Sequence, residues 1–210
     1  MTHPLVDLAD VKRTLRIRPE SRVELRFDKM ASEVLDEFDE LADIKSTWQL
    51  QTNRFPGFPP GLARYSHMVL VAVTAGQQVS QRLSQLTAER QLFRANMLDT
   101  MVNCALYAEQ LRIDDQYRSA AHARELKLSR RFSPGCPHME MDQLPIIIEA
   151  LDPEGTIGVT CTSAHMLMPV KSLAYVHGAD ARLSTDQAID FCDTCRKTSC
   201  IRSRRDRDDS

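Results

Sequence analysis

Two stretches of the chain carry residue types that core packing alone does not call for. The first is Arg131-Phe132-Ser133-Pro134-Gly135-Cys136-Pro137. It sets a permanently charged guanidinium fork beside a Pro-Gly turn, and such a fork suits a carboxylate. Gly135 lacks a Cβ, so backbone there can come close to a ligand. Ser133 lies in the same turn and can offer backbone groups. The second stretch is Thr160-Cys161-Thr162-Ser163-Ala164-His165-Met166-Leu167-Met168-Pro169. It crowds small polar residues, a histidine and methionines at the end of an expected strand. Together the two runs predict a small-molecule pocket.

A third signal is Cys192-x2-Cys195-x4-Cys200. Three soft ligands so close in sequence can wrap one metal centre. The spacing suits an iron–sulfur cluster or zinc, and either needs a fourth ligand. Cys136 is the candidate, with Cys161 and His177 as alternatives. Cys104 sits on an apolar helix and reads as buried. No Ser-His-Asp set or carboxylate pair suggests hydrolysis. No Gly-x-Gly loop follows an early strand as in doubly wound nucleotide-binding folds.

The elements that must position these groups follow from periodicity. Val23, Leu25 and Phe27 alternate with charges and predict a half-buried strand. Met30, Val34, Phe38 and Leu41 predict an amphipathic helix. Thr47 to Gln51 predicts a short strand, and the proline-rich run Phe55 to Gly61 a loop. His67 to Val73 is almost wholly apolar, as in a strand buried on both faces. Thr74-Ala75-Gly76 then turns into a helix carrying Val79, Leu83 and Leu86. A longer helix places Met97, Met101, Ala105, Ala108 and Leu111 on one face. The basic run 112–131 reads as a solvated helix, apart from Arg131 beside the turn. Leu144, Ile147, Ile148 and Leu151 mark a helix face, with Pro145 tolerated in its first turn. Ile157, Val159 and Cys161 alternate as a strand, Leu173 to His177 forms another, and a short helix leads from Ser184 into the cysteines.

The order of helices and strands has no βαβ rhythm, so the fold class is α+β. The expected layout is an extension over 1–20, a single domain over 21–183, a cysteine-cluster segment over 184–201 and a polar tail over 202–210. At 210 residues, with 42% apolar and 27% charged, the chain can bury an ordinary core. A net charge of −2 does not favour nucleic acid as the partner. No apolar run approaches the ~20 residues that span a bilayer, and Asp7 and Asp10 interrupt any signal-like start. The expected location is the cytoplasm, where six cysteines serve better as thiols or metal ligands than as disulfides.

At this point the chain resembles the activation domain of cobalamin-dependent methionine synthase, in free-standing form. The likeness spans about residues 20–200. It rests on Val71 to Leu86, Asn96-Met97-Leu98-Asp99, and above all two specific pieces. One is Arg131-Phe132-Ser133-Pro134-Gly135, which looks like the family's Arg-x-x-Pro-Gly-Tyr motif, with Cys136 where the family has tyrosine. The other is Ile157-Gly158-Val159-Thr160-Cys161-Thr162-Ser163 with Met166, Met168-Pro169 and Lys171-Ser172. The resemblance implies a twisted antiparallel sheet flanked by helices. It implies help in the reductive reactivation of cob(II)alamin, with S-adenosylmethionine as methyl donor. Arg131, Ser133 and Gly135 would then hold S-adenosylmethionine. His165 would meet the corrinoid or its carrier, and His177 would take a second family aromatic position. No cobalamin domain is visible, so the corrinoid protein and its methyltransferase would be separate partners, with a possible electron donor. The alternative is a non-catalytic corrinoid-protein-binding module with a metal-stabilised C-terminal segment.

Overall fold

The computed structural model describes residues 3–136 and 138–186. Helix α1, Leu8–Thr14, opens the chain, and Val6 and Val11 beside it are buried in the core. The stretch expected as an N-terminal extension thus packs into the domain. Helix α2 follows over Arg22–Leu41.

Here the structure corrects the sequence reading, because Val23, Leu25 and Phe27 lie in α2 and not in a strand. Phe27 is buried, whereas Val23 and Leu25 face solvent at 48% and 61% exposure. The local cause is a capping arrangement. The Ser21 side chain accepts from the Glu24 amide, and the Glu24 carboxylate accepts from the Glu20 amide. Those bonds satisfy donors that a helix start otherwise leaves open.

A four-stranded antiparallel sheet forms the middle layer, in the order β1-β2-β6-β3. Its strands are β1 Lys45–Thr52, β2 His67–Thr74, β3 Lys127–Phe132 and β6 Ser172–Asp180. Between β1 and β2 a single helical turn, α3 Pro60–Ala63, starts inside the expected loop. Helices α4, Gln77–Ala88, and α5, Leu92–His122, pack with α2 on one face of the sheet. Helix α6, Leu144–Leu151, covers the other face behind a short 3-10 turn at Met141–Gln143, with Pro145 in its first turn.

Strand β2 explains why its sequence is unbroken apolar. Val69, Val71 and Val73 belong to the helix-side core, while Met68, Leu70 and Ala72 belong to the α6-side core. Successive side chains point to opposite faces, and here both faces are covered. Gly178 on β6 is required by packing, since a Cβ there would lie 2.0 Å from the Tyr65 ring.

Three further expectations are revised. Ile157, Val159 and Cys161 do not form one strand: α7 spans Glu154–Ile157, Gly158 caps it at φ 68°, and β4 is only Thr160–Cys161, paired with β5, Leu167–Met168. The basic run 112–131 is helical only to His122, after which β3 begins at Lys127. Leu111 is exposed and leaves the core face of α5. The helix expected from Ser184 lies largely outside the described residues.

Candidate functional site

Strand β3 is short and irregular, and the site follows from that. Leu128 pairs with Ala179 and Arg131 with His177, so β3 spends one extra residue over this interval. This is a β-bulge, a device that bends a strand and re-aims its side chains. Ser129 fills the bulge. Its hydroxyl accepts from the Gly178 amide at 2.8 Å, and its carbonyl accepts from His177 Nδ1 at 2.9 Å.

Strand β3 then ends at Phe132, opposite Val176. Over Ser172 to Ala174, β6 has β2 on one side and a cavity on the other. The chain leaves the sheet through Ser133-Pro134-Gly135-Cys136, a β-turn closed by Cys136 N–H to the Ser133 carbonyl at 3.0 Å. Proline at the second position and φ +80° at Gly135 give the type II pattern. A Cβ on Gly135 would lie 2.8 Å from Met141 Sδ. The Gly135 amide donates to the Met139 carbonyl at 3.0 Å, so it serves the turn's own structure.

The cavity has a volume of about 450 Å³, within the range of small-molecule sites. It lies where the layers meet at the sheet edge. Arg131, Ser133 and Cys136 come from the β3 turn, His165 and Met166 from the β4–β5 loop, and Tyr175 from β6. The two sequence runs that predicted a pocket thus meet at one cavity. His165 adopts φ 56° in that loop, and its amide donates to the Thr162 carbonyl at 2.9 Å. Met141, Met166 and Val170 line the mouth and expose 41%, 51% and 56% of their surface.

The opposite wall is α5, which the sequence reading treated as core. Asn103, Tyr107 and Gln110 sit at i, i+4 and i+7 and line the cavity. That polar stripe beside the apolar face of the helix was the available signal. Asn103 is held from both ends of its amide. It donates to Asp99 at 3.0 Å and accepts from Lys171 at 3.1 Å, while Lys171 pairs with Asp99 at 2.5 Å.

Arg131 Cζ stands 5.1 Å from the centre of the Tyr175 ring. A guanidinium over an aromatic face is attracted by the ring's negative surface. Tyr175, not His177, is the β6 aromatic in the cavity wall, which corrects the sequence assignment. His177 is 4% exposed and points toward α5, two residues further along the same face of β6. At that level Arg131 already pairs with the strand and closes the edge.

Burial lowers the His177 pKa to about 4, so the ring is neutral near pH 7. A carbonyl can only accept, so Nδ1 carries the proton and donates to Ser129. Nε2 faces the Tyr117 hydroxyl at 3.2 Å. That hydroxyl has one proton, which Nε2 shares with the Asp114 carboxylate, and Asp114 pairs with Arg118. Burial, the neighbouring Tyr175 and the Asp114 carboxylate push the Tyr117 phenol well above its ordinary value.

Of the remaining expected site residues, Gly135 shapes the turn without lining the cavity. Cys136 is an exposed free thiol at the cavity wall. Cys192, Cys195 and Cys200 lie outside the described residues. Among the described residues, no group of three or more His, Cys, Asp or Glu side chains could hold a metal ion. No described helix is long and apolar enough to cross a membrane.

The layered sheet and its edge cavity define a mixed α and β fold of the reactivation-domain type. Among solved structures, the chain is similar to a crystal structure of the MetH reactivation domain bound to AdoHcy. The TM-score is 0.62 at 12% identity, covering 86% of this chain and 76% of that one. No family model matches the chain, and no curated protein matches it.

Proposed function

We propose that this chain reactivates a corrinoid carried by a separate polypeptide of a methyl-transfer system. In this reading the edge cavity holds S-adenosylmethionine. The observation that carries the reading is the convergence of the Arg131 turn and the His165 loop on one cavity, within a fold shared with a reactivation domain.

The donor set fits the ligand. Arg131 offers a fork for the carboxylate. The face of Tyr107 suits a purine or a sulfonium. Asn103 and Gln110 supply amide donors and acceptors along α5. S-adenosylmethionine supplies a methyl group whose favourable transfer to cobalt draws an unfavourable one-electron reduction. The electron comes from a separate donor. The chain contributes positioning and electrostatics and no side-chain nucleophile. The exposed rim of Met141, Met166 and Val170 gives the corrinoid carrier an apolar seat, which would keep water from the reacting face.

Calorimetric titration with S-adenosylhomocysteine tests the reading. Saturable binding, weakened at least tenfold by Arg131→Ala, is the expected result. Silence with this ligand, together with tight binding of a corrinoid protein, would favour the non-catalytic binding module instead.

A further inference from the structure

His177 does not touch the cavity, yet its ring packs against Tyr175, which lines it. A buried imidazole is costly unless both nitrogens find partners. Here Nδ1 donates to the Ser129 carbonyl in the β3 bulge, and Nε2 meets the Tyr117 hydroxyl. The same ring stands edge-on to Tyr175, with centroids 5.7 Å apart and planes at 83°. Its contact with Tyr117 is tilted, at 5.5 Å. Tyr117 in turn neighbours Tyr175. Tyr175 is therefore held at its ring by His177, which Tyr117 itself flanks. Its outer face carries the Arg131 guanidinium. Arg131 is also the register partner of His177 across β3 and β6, so backbone and side-chain routes join the same pair.

We propose that His177 is a positioning residue for the carboxylate subsite: it sets the plane of Tyr175, and Tyr175 sets the guanidinium of Arg131. This rests on the reading that the cavity takes S-adenosylmethionine. An aliphatic side chain would fill the same volume without the desolvation penalty of an imidazole. What it would not supply is two fixed directions, one into the bulge and one into Tyr117, which orient the ring against Tyr175. Freed from that edge contact, Tyr175 has more orientations open to it, and the fork above it loses pre-organisation.

The test separates the two ends of the ligand. S-adenosylhomocysteine carries the amino-acid carboxylate, and 5′-methylthioadenosine lacks it. His177→Asn keeps a donor for the Ser129 carbonyl but removes the ring against Tyr175. Affinity for S-adenosylhomocysteine is measured by calorimetry, and that for 5′-methylthioadenosine by displacement of it. The expected result is a fall of about tenfold for S-adenosylhomocysteine, with 5′-methylthioadenosine unchanged within twofold. Tyr117→Phe, which keeps the ring and drops the hydroxyl, shifts the same ligand in the same direction by a smaller factor, and it carries the test if the asparagine variant does not fold. Equal weakening of both ligands, or of neither, in folded variants overturns the inference and leaves the ligand assignment standing. If the unaltered protein does not bind S-adenosylhomocysteine at all, the ligand assignment fails first and the inference falls with it.

Discussion

Arg131 lies over the face of Tyr175, its guanidinium carbon 5.1 Å from the ring centre. The two residues come from adjacent strands of one sheet, at the point where β3 gives out and the cavity begins. A flat fork suits this seat in a way an ammonium does not. Arg131→Lys retains the charge but loses the stacking plane and the paired donors. We expect it to weaken S-adenosylhomocysteine binding by about tenfold while the melting temperature moves by no more than a few degrees, as read by calorimetry and thermal unfolding.

The turn at Gly135 supports a second expectation. Gly135→Ala meets both the left-handed φ of +80° and the Met141 sulfur. The backbone cost alone is about 1–2 kcal/mol. Adding Met141→Ala should recover only the steric part. A urea double-mutant cycle measures the split, and full recovery would mean that φ carries no penalty here.

The buried histidine gives the protein a pH signature. Desolvation lowers the His177 pKa to about 4 in the fold, against an ordinary value of 6.5. The unfolded chain therefore takes up the proton first as pH falls. The contribution is fully present above pH 6.5 and drains away between 6.5 and 4. From pH 7 to pH 5 the loss is about 2 kcal/mol. A His177→Phe chain should show a slope shallower by that amount in urea unfolding at the two pH values. Equal slopes would contradict a neutral histidine in the fold.

Two glycines make a paired contrast. Gly178→Ala drives a methyl into the Tyr65 ring and should cost several kcal/mol or prevent folding. Gly155 lies within α7 with nothing within 4 Å of an added Cβ, so Gly155→Ala should be neutral or stabilising by about 0.5–1 kcal/mol. Chemical denaturation of both variants decides it.

The cysteine cluster yields the last expectation. Protein purified without oxygen should carry iron with sulfide, or zinc, in stoichiometric amount. Cys200→Ser should lose it. Elemental analysis and an optical spectrum read the outcome, and metal-free protein would leave Cys192, Cys195 and Cys200 as plain thiols.

What the sequence made legible divides along physical lines. Strands buried on both faces, such as β2, announce themselves because nothing polar interrupts them. Helix α6 was legible from its spacing, and the pocket from Arg131 and His165, because charge and turn residues have few other uses there. Val23 to Phe27 misled because alternation over five residues is compatible with the first turns of a helix. The Ser21–Glu24 cap was the stronger signal and would have decided the matter. The α5 wall was hidden because Asn103, Tyr107 and Gln110 are spread along a long helix between its core face and its charged positions. The exchange of His177 for Tyr175 has a different cause. Both lie on one face of β6, and only the length of β3 decides which of them meets the cavity.

Strand β6 occupies an interior place in the sheet, between β2 and β3. Where it lines the site, over Ser172 to Ala174, it pairs with β2 alone and its other edge faces the cavity. Helix α5 faces the site as well, and the β3 turn and the β4–β5 loop complete its lining. A ligand would thus be gripped between regular elements and two short connecting segments, and changes of ligand preference can accumulate in those segments while the folding of the domain stays untouched.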